Sequence, residues 1–548
     1  MGLKSLLNYT KKRVFESGPI LRLMSDDRFM HVADAVLDAP GRCRAAADKA
    51  SEAWHVLLHG YALPEIDPSM QPDDSTSLSA SPKKPAKTKK PSLQQTATAD
   101  TRDVGSSQAG DLTGDEPTAA DVTADESHDD SQALADQLAA RTSIAGQAGR
   151  DVFKKCYEFK AADKARKMGI YPYFKPLDLN DGPEAVLEGR RVLMLGSNNY
   201  LGLTTHPKVR EAAADAIRKY GTSMTGSRLV NGSMKLHRDL EEKLAAFHNK
   251  EAALVFTTGY QVNTASIAAI LSNRHTVALI DRNDHASIYD GVRLGLAAGA
   301  RMIRYKHNNA ESLDRQLAAL DPDTGAFVIT DGVFSAEGEI ANLPALVEVT
   351  KKHQARILVD DAHALGVIGP VGRGTAAHFG IEKDVDLIGG TFSKSMASIG
   401  GWLVGERKVL EYIQHFASSF IFAASAAPPS VAAAMAALDV MQEETWRIDN
   451  LHKNFTYMRD ELTKMGWDVG NSQTAVIPLY VRQDLRTIKM WKELLDTYGV
   501  YTNPFISPGV PPKQACLRTS YMATHTREQL DRALEAFQAV GKKFKVIK

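Results

Sequence analysis

The chain has 548 residues, 43 % of them hydrophobic, and its 66 basic side chains are matched by 66 acidic ones. That length exceeds one ordinary domain and leaves room for a large core, while the charge balance argues against a polyanionic partner such as nucleic acid. Three scattered cysteines, Cys43, Cys156 and Cys516, exclude a disulfide framework or cysteine metal site, and no run reaches the roughly 18 apolar residues of a membrane span.

Residues 1–65 are expected to be helical, with Leu6, Leu7, Val14, Val32, Ala33, Val36 and Leu37 at amphipathic spacing. Two readings stand for this extension. One is a helical bundle or docking arm that contacts a partner. The other is a membrane-surface helix, because Lys4, Lys11, Lys12 and Arg13 lie beside the apolar positions. Residues 66–135 lose their large apolar side chains. A basic patch from Lys83 to Lys90 is followed by an acidic stretch from Asp103 to Asp130, and such a segment reads as a disordered linker. Residues 136–205 form the leading segment of a globular unit and begin with a helix over about 134–168. No apolar leader with a small-residue cleavage site precedes all this, so the expected setting is cytoplasmic, or peripheral to the inner face of a membrane.

Over residues 206–430 short apolar runs alternate with helical periodicity. The expected strands are Val277–Ile280, Ala326–Thr330, Arg356–Val359, Asp386–Ile388 and Trp402–Val404; Pro207–Tyr220 and Lys235–His248 are expected helices. This alternation predicts an α/β domain with a mostly parallel sheet covered by helices on both faces. Residues 431–548, with long helices and few strands, predict a smaller α+β domain.

Five segments carry candidate chemistry. In Gly389-Gly390-Thr391-Phe392-Ser393-Lys394 a lysine follows a buried strand. Desolvation there lowers an ammonium pKa and readies the amine for a Schiff base, although a surface lysine fits the same pattern. Ile357-Leu358-Val359-Asp360-Asp361-Ala362-His363 ends a strand in two carboxylates and an imidazole, where α/β sheets bind ligands; a metal or nucleotide site, or a capping aspartate, fits equally. Thr257-Thr258-Gly259-Tyr260 opens a helix whose N-terminus suits a phosphate. His285 can stack on an aromatic ring or serve a loop. Arg518, between apolar neighbours, can bind a substrate carboxylate or hold a structural ion pair.

Taken in order, these segments resemble the α-oxoamine synthases, which are fold-type I pyridoxal-phosphate enzymes. Gly196-Ser197-Asn198-Asn199-Tyr200-Leu201-Gly202 with His206-Pro207 is similar to the family's opening motif. Gly226-Ser227-Arg228-Leu229-Val230-Asn231-Gly232, Ser335 to Gly338, Asp360 to His363, Thr391 to Lys394 and Arg518 continue the likeness over about residues 160–545. The resemblance implies that Lys394 holds pyridoxal 5'-phosphate and acts as base. It implies that Asp360, rather than Asp361, pairs with the pyridine nitrogen, that His363 meets the phenolic oxygen, and that His285 stacks on the ring. Thr258, Gly259, Tyr260 and Thr391 would hold the phosphate, with Ser425 reaching the site of a neighbouring subunit in a homodimer. Arg518, Asn198 or Asn199, and Ser335 would bind substrate. No metal is implied. Asp331 stands where the family usually has glutamate.

Within the family, Gly169-Ile170-Tyr171-Pro172-Tyr173-Phe174, Thr391–Ile399 and Phe420–Ser425 are similar to bacterial serine palmitoyltransferases. That likeness implies the decarboxylating condensation of an amino acid, serine, with a long acyl-CoA, palmitoyl-CoA, to give 3-ketosphinganine. The rivals are 8-amino-7-oxononanoate synthase, glycine C-acetyltransferase and 5-aminolevulinate synthase, or a non-catalytic subunit of the same fold.

Overall fold

The structure, a computed structural model, describes residues 150–507 and 509–548. The expectations for residues 1–65 and 66–135 therefore lie outside the described residues. At the start, the single helix expected to reach residue 168 is two short ones, α1 (Lys154–Glu158) and α2 (Ala161–Lys167). The break falls at Phe159, whose backbone is extended; α1 buries none of its residues, so no packing holds the first turns to the second helix.

A small sheet follows: β1 (Leu179–Asp181), β2 (Glu184–Leu187) and β3 (Arg190–Met194). The chain then enters the large α/β region. Its elements are α3 (Pro207–Tyr220), α4 (Lys235–Phe247), β4 (Ala252–Phe256), α5 (Gly259–Ile270), β5 (Thr276–Asp281), α6 (Ala286–Ala297), β6 (Arg301–Tyr305), α7 (Ala310–Ala318), β7 (Gly325–Asp331), α8 (Leu343–Lys352), β8 (Arg356–Asp360), β9 (Leu387–Thr391) and β10 (Gly401–Gly405). Seven strands form one sheet in the order β4-β10-β9-β8-β7-β5-β6, and only β10 runs against the rest.

Side chains alternate between the two faces of this sheet, as the pleat requires. Leu254, Phe256, Ala278, Ile280, Phe327, Ile329 and Leu358 pack with Val262 and Ile267 of α5 and Ile288 and Val292 of α6. Val255, Val277, Leu279, Val328, Ile357 and Val359 join the opposite core with Leu313 of α7 and Leu346 of α8. Both faces are dry, which is why these strands read as near-continuous apolar runs.

One expected strand shifts: Asp386–Ile388 is observed as Leu387–Thr391. The ladder continues through Gly389 and Gly390 because a large neighbour needs the room. A Cβ on Gly390 would lie 2.9 Å from the Trp402 ring.

The C-terminal region supplies β11 (Val476–Tyr480), β12 (Val500–Tyr501), β13 (Asn503–Phe505) and β14 (Cys516–Ser520). β11, β14 and β13 make an antiparallel sheet, whereas β12 pairs with β3. Two further bonds fasten the leading segment here: Ser520 N donates to Leu195 O at 2.8 Å, and Ala523 N to Tyr200 O at 2.7 Å. Residues separated by more than 300 positions thus meet beside Arg518.

Candidate active site

Because β4, β5, β7, β8 and β9 point the same way, their C-terminal ends share one edge of the sheet. Ligands of open α/β sheets bind at that edge. A cavity of about 350 Å³ lies there, lined among others by Thr258, Gly259, His285, Asp360, His363 and Lys394. Tyr260, Thr391 and Asp331 line it too. Of the residues singled out from sequence, Asn198, Asn199, Ser335, Ser425 and Arg518 lie outside this lining.

Lys394 sits just past β9. Burial pushes its ammonium down to about 8, against the pull of Asp360 and Asp331, whose charge favours the protonated amine. Asp360, the last residue of β8, is 7 % exposed. Its Oδ1 accepts from the Ala362 N–H at 3.0 Å and its Oδ2 from Asn263 Nδ2 at 2.6 Å. Asp361 turns the other way: its Oδ2 takes the Thr375 N–H at 2.9 Å, and burial raises its carboxyl to about 7. The two adjacent carboxylates, inseparable in sequence, are thus divided into one facing the cavity and one holding a helix start.

His363 is buried, and burial together with Lys394 and Arg518 drives it well below the ordinary histidine range. Its Nδ1 lies 2.7 Å from the Tyr200 hydroxyl. His285 caps α6, its Nδ1 facing the Ser287 N–H at 3.3 Å and the Ser287 hydroxyl at 2.7 Å. Burial also lowers His285, while Asp360 works in the opposite direction.

Thr258 caps α5, its Oγ1 accepting from Gln261 N at 3.1 Å. This leaves the first N–H groups of a twelve-residue helix directed at the cavity end where Thr391 stands. Gly259 and Thr391 touch so closely that a Cβ on Gly259 would meet Thr391 Cβ at 2.5 Å. Thr391 Oγ1 bonds Gly400 O at 3.1 Å and Ser393 Oγ at 2.8 Å. The Tyr260 hydroxyl is turned outward onto Asp290.

Arg518, 2 % exposed, is held from Nε by Ser335 O at 2.8 Å and from Nη1 by Asn198 Oδ1 at 2.9 Å and Ser520 Oγ at 2.7 Å. The Tyr200 hydroxyl also reaches Asn198 Oδ1, at 3.3 Å, and so joins this group to His363. Asn199 is committed elsewhere: its side chain bonds Thr204 Oγ1 and the Leu203 N–H. Ser425 lies apart from the cavity, its N–H on Gly226 O.

Sequence reasoning gave no site role to Tyr200, Asn263 or Ser287 and noted Asp331 only as a departure from the family's glutamate; this geometry brings all four forward. Asn263 carried a signal, being a polar residue within an apolar helical run. Asp331 pairs in register with Asp360, and burial together with the Asp360 charge holds its carboxyl well above the usual range.

The donor set fits pyridoxal phosphate. A buried amine of lowered pKa and a carboxylate face one cavity, and a helix N-terminus with a side-chain-free approach at Gly259 closes the same cavity. The profile of the aminotransferase class I and II family matches residues 190–537. The serine palmitoyltransferase of Sphingobacterium spiritivorum is 42 % identical over 388 residues, covering 71 % of this chain and 96 % of that one. The 8-amino-7-oxononanoate synthase of Thermoanaerobacter pseudethanolicus is 37 % identical over 386 residues, 70 % of this chain and 96 % of that one. Among solved structures, serine palmitoyltransferase from S. paucimobilis with a bound PLP–myriocin aldimine matches with a TM-score of 0.70 and 33 % identity, covering 73 % of this chain and 100 % of the other. The chain belongs to the aminotransferase class I and II family and, within it, is an α-oxoamine synthase: a pyridoxal-phosphate-dependent acyltransferase similar to serine palmitoyltransferase.

Proposed function

We propose that the protein condenses L-serine with palmitoyl-CoA, releasing coenzyme A and carbon dioxide and forming 3-ketosphinganine. The observation that carries this reading is the 42 % identity to serine palmitoyltransferases across nearly their whole length, against 37 % to an 8-amino-7-oxononanoate synthase.

When bound, pyridoxal phosphate supplies an electron sink for negative charge developing at the amino acid's α-carbon. The chain's own residues divide the remaining work. Lys394 would hold the cofactor's aldehyde carbon through Nζ, and its amine would take up and return the substrate's α-proton. A pKa of about 8 suits both duties, since the free amine is far more populated near neutrality than it would be at the ordinary 10.5. Asp360, fixed by Ala362 N and Asn263, would pair with the cofactor's pyridine nitrogen and favour its protonated form. His363, oriented by Tyr200, would meet the cofactor's phenolic oxygen, and His285 would cover its ring. The N-terminus of α5, with Thr258, Gly259, Tyr260 and Thr391, would hold the phosphate. Arg518, with Asn198 and the Ser335 carbonyl beside it, orients the substrate carboxylate. Fixing that group fixes which bond at the α-carbon is broken, and positioning of this kind is worth on the order of 7–11 kcal/mol in favourable cases.

The same reading includes a two-fold homodimer. Supporting it, Leu229, Val230, Ile399 and Phe422 are all exposed, and Ser227 and Ala424 bridge the two loops that carry three of them. Ser425 would then serve the cofactor of the second subunit.

The test is a matrix of amino acids and acyl-CoAs on cofactor-loaded protein. Serine with palmitoyl-CoA should give the highest kcat/KM. A clear preference for alanine with pimeloyl-CoA, or for glycine with acetyl- or succinyl-CoA, would reassign the substrate while leaving the reaction class intact.

A further inference from the structure

Two buried side chains without a step in the reaction above connect two residues that have one. Asn263, in α5, is 2 % exposed and directs both amide hydrogens to polar partners: Asp360 Oδ2 at 2.6 Å and Ser287 Oγ at 2.9 Å. Ser287, fully buried at the start of α6, lies 2.7 Å through its hydroxyl from His285 Nδ1, and its backbone N–H is aimed at the same nitrogen. An unbroken hydrogen-bonded path therefore runs from Asp360 to His285.

The direction of each bond along this path is forced. An ionised carboxylate only accepts, so Asn263 must turn its NH2 toward Asp360. The second hydrogen of that NH2 falls on Ser287 Oγ. The serine hydroxyl hydrogen is then left to its other neighbour, His285 Nδ1. The Ser287 backbone N–H points there as well, so two hydrogens converge on Nδ1 and the nitrogen carries none of its own. The ring proton belongs on Nε2. One cost is visible: the Asn263 carbonyl oxygen is buried without a partner among the described residues. Reversing the amide would set that oxygen against the Asp360 carboxylate, so the orphan is retained.

We propose that Asn263 and Ser287 are positioning residues that link Asp360 to His285 and fix that imidazole as the neutral, Nε2-protonated tautomer. The proposal rests on this cavity being the cofactor site. His285 is faced by Asp360, Lys394 and His363, with the Tyr260 ring 6.3 Å away. A cationic imidazole would repel Lys394; a neutral one covers the ring without adding like charge.

Selective 15N labelling of histidine in the cofactor-loaded protein reads the tautomer, with the His285 signals assigned by their loss in His285→Phe. The expected result is a proton on Nε2 and a protonation midpoint below that of a free imidazole. Ser287→Ala removes a hydrogen bond that favours the neutral form and should raise the protonation midpoint by roughly half to one pH unit. Ser287→Thr, which keeps the hydroxyl, should restore the original midpoint. A proton on Nδ1 in the unaltered protein, or a midpoint unmoved in Ser287→Ala, overturns the proposal. Should Ser287→Ala not fold, the tautomer of the unaltered protein decides alone. Cofactor attachment is read separately, from the visible absorption band and its loss in Lys394→Ala, so the two readings fail independently.

Discussion

Replacing Lys394 by methionine should make the cofactor-free protein more stable. The fold pushes this amine from its ordinary 10.5 to about 8, so an ammonium there costs roughly 3 kcal/mol relative to the unfolded chain. Lys394 keeps partial contact with solvent, and Asp360 and Asp331 lose a compensating charge when it is removed; the net gain is discounted to about 1–2 kcal/mol. The fold disfavours the ammonium relative to the unfolded chain. Between about pH 8 and 10.5 the unfolded chain therefore binds more protons than the folded one, and the stability contributed by this group rises with pH across that window. Below about 8 both states are charged and the full cost persists. In thermal unfolding of cofactor-free protein, Lys394→Met should melt about 1–3 °C higher at pH 7, and the advantage should shrink toward pH 10. Equal melting temperatures at pH 7, or a difference that does not change with pH, would refute the claim that the fold holds a reluctant ammonium.

Three other changes test the cavity and the groups beside it. Gly259→Ala places a Cβ 2.5 Å from Thr391 Cβ, so Thr391 must move; cofactor affinity, measured by dialysis and absorbance, should fall on the order of ten-fold or more with the fold intact by circular dichroism. Arg518→Lys exchanges a planar fork held at Nε and Nη1 for a single ammonium. KM for the amino acid should rise at least about ten-fold while the visible band of the bound cofactor stays in place. Tyr200→Phe removes the hydroxyl at 2.7 Å from His363 Nδ1 and should shift the absorbance maximum of the loaded protein, with about 1 kcal/mol lost from transition-state binding measured as kcat/KM.

Much of the large region could be read from the sequence because its signals are local. Val277–Ile280, Ala326–Thr330 and Arg356–Val359 are strands because each is a short apolar run buried on both faces, and Lys394, Asp360, His363 and His285 stand where such strands end. What stayed hidden depends on contacts between distant segments. The pairing of β3 with Val500–Tyr501 joins residues some 300 positions apart, and nothing in either stretch announces the other. Asn198 and Asn199 are indistinguishable as letters; packing gives one to Arg518 and the other to the turn at Leu203. Asn263 acquires meaning only because α5 and α6 pack together and bring Ser287 against it.

The strand order also bears on how the protein is made. β4 has a single sheet neighbour, β10, which the ribosome produces about 145 residues later. Until Gly401–Gly405 emerges, β4 and the start of α5 have no ladder to join, although β5 to β9 can already assemble beside one another. The cavity end at Thr258, Gly259 and Thr391 is thus among the last pieces of this sheet to be secured during synthesis, and Arg518 is delivered later still. Nascent chains arrested before residue 400 should fail to retain the cofactor, whereas arrest after β10 but before β14 would leave a chain able to capture it with nothing yet in place to grip the substrate carboxylate.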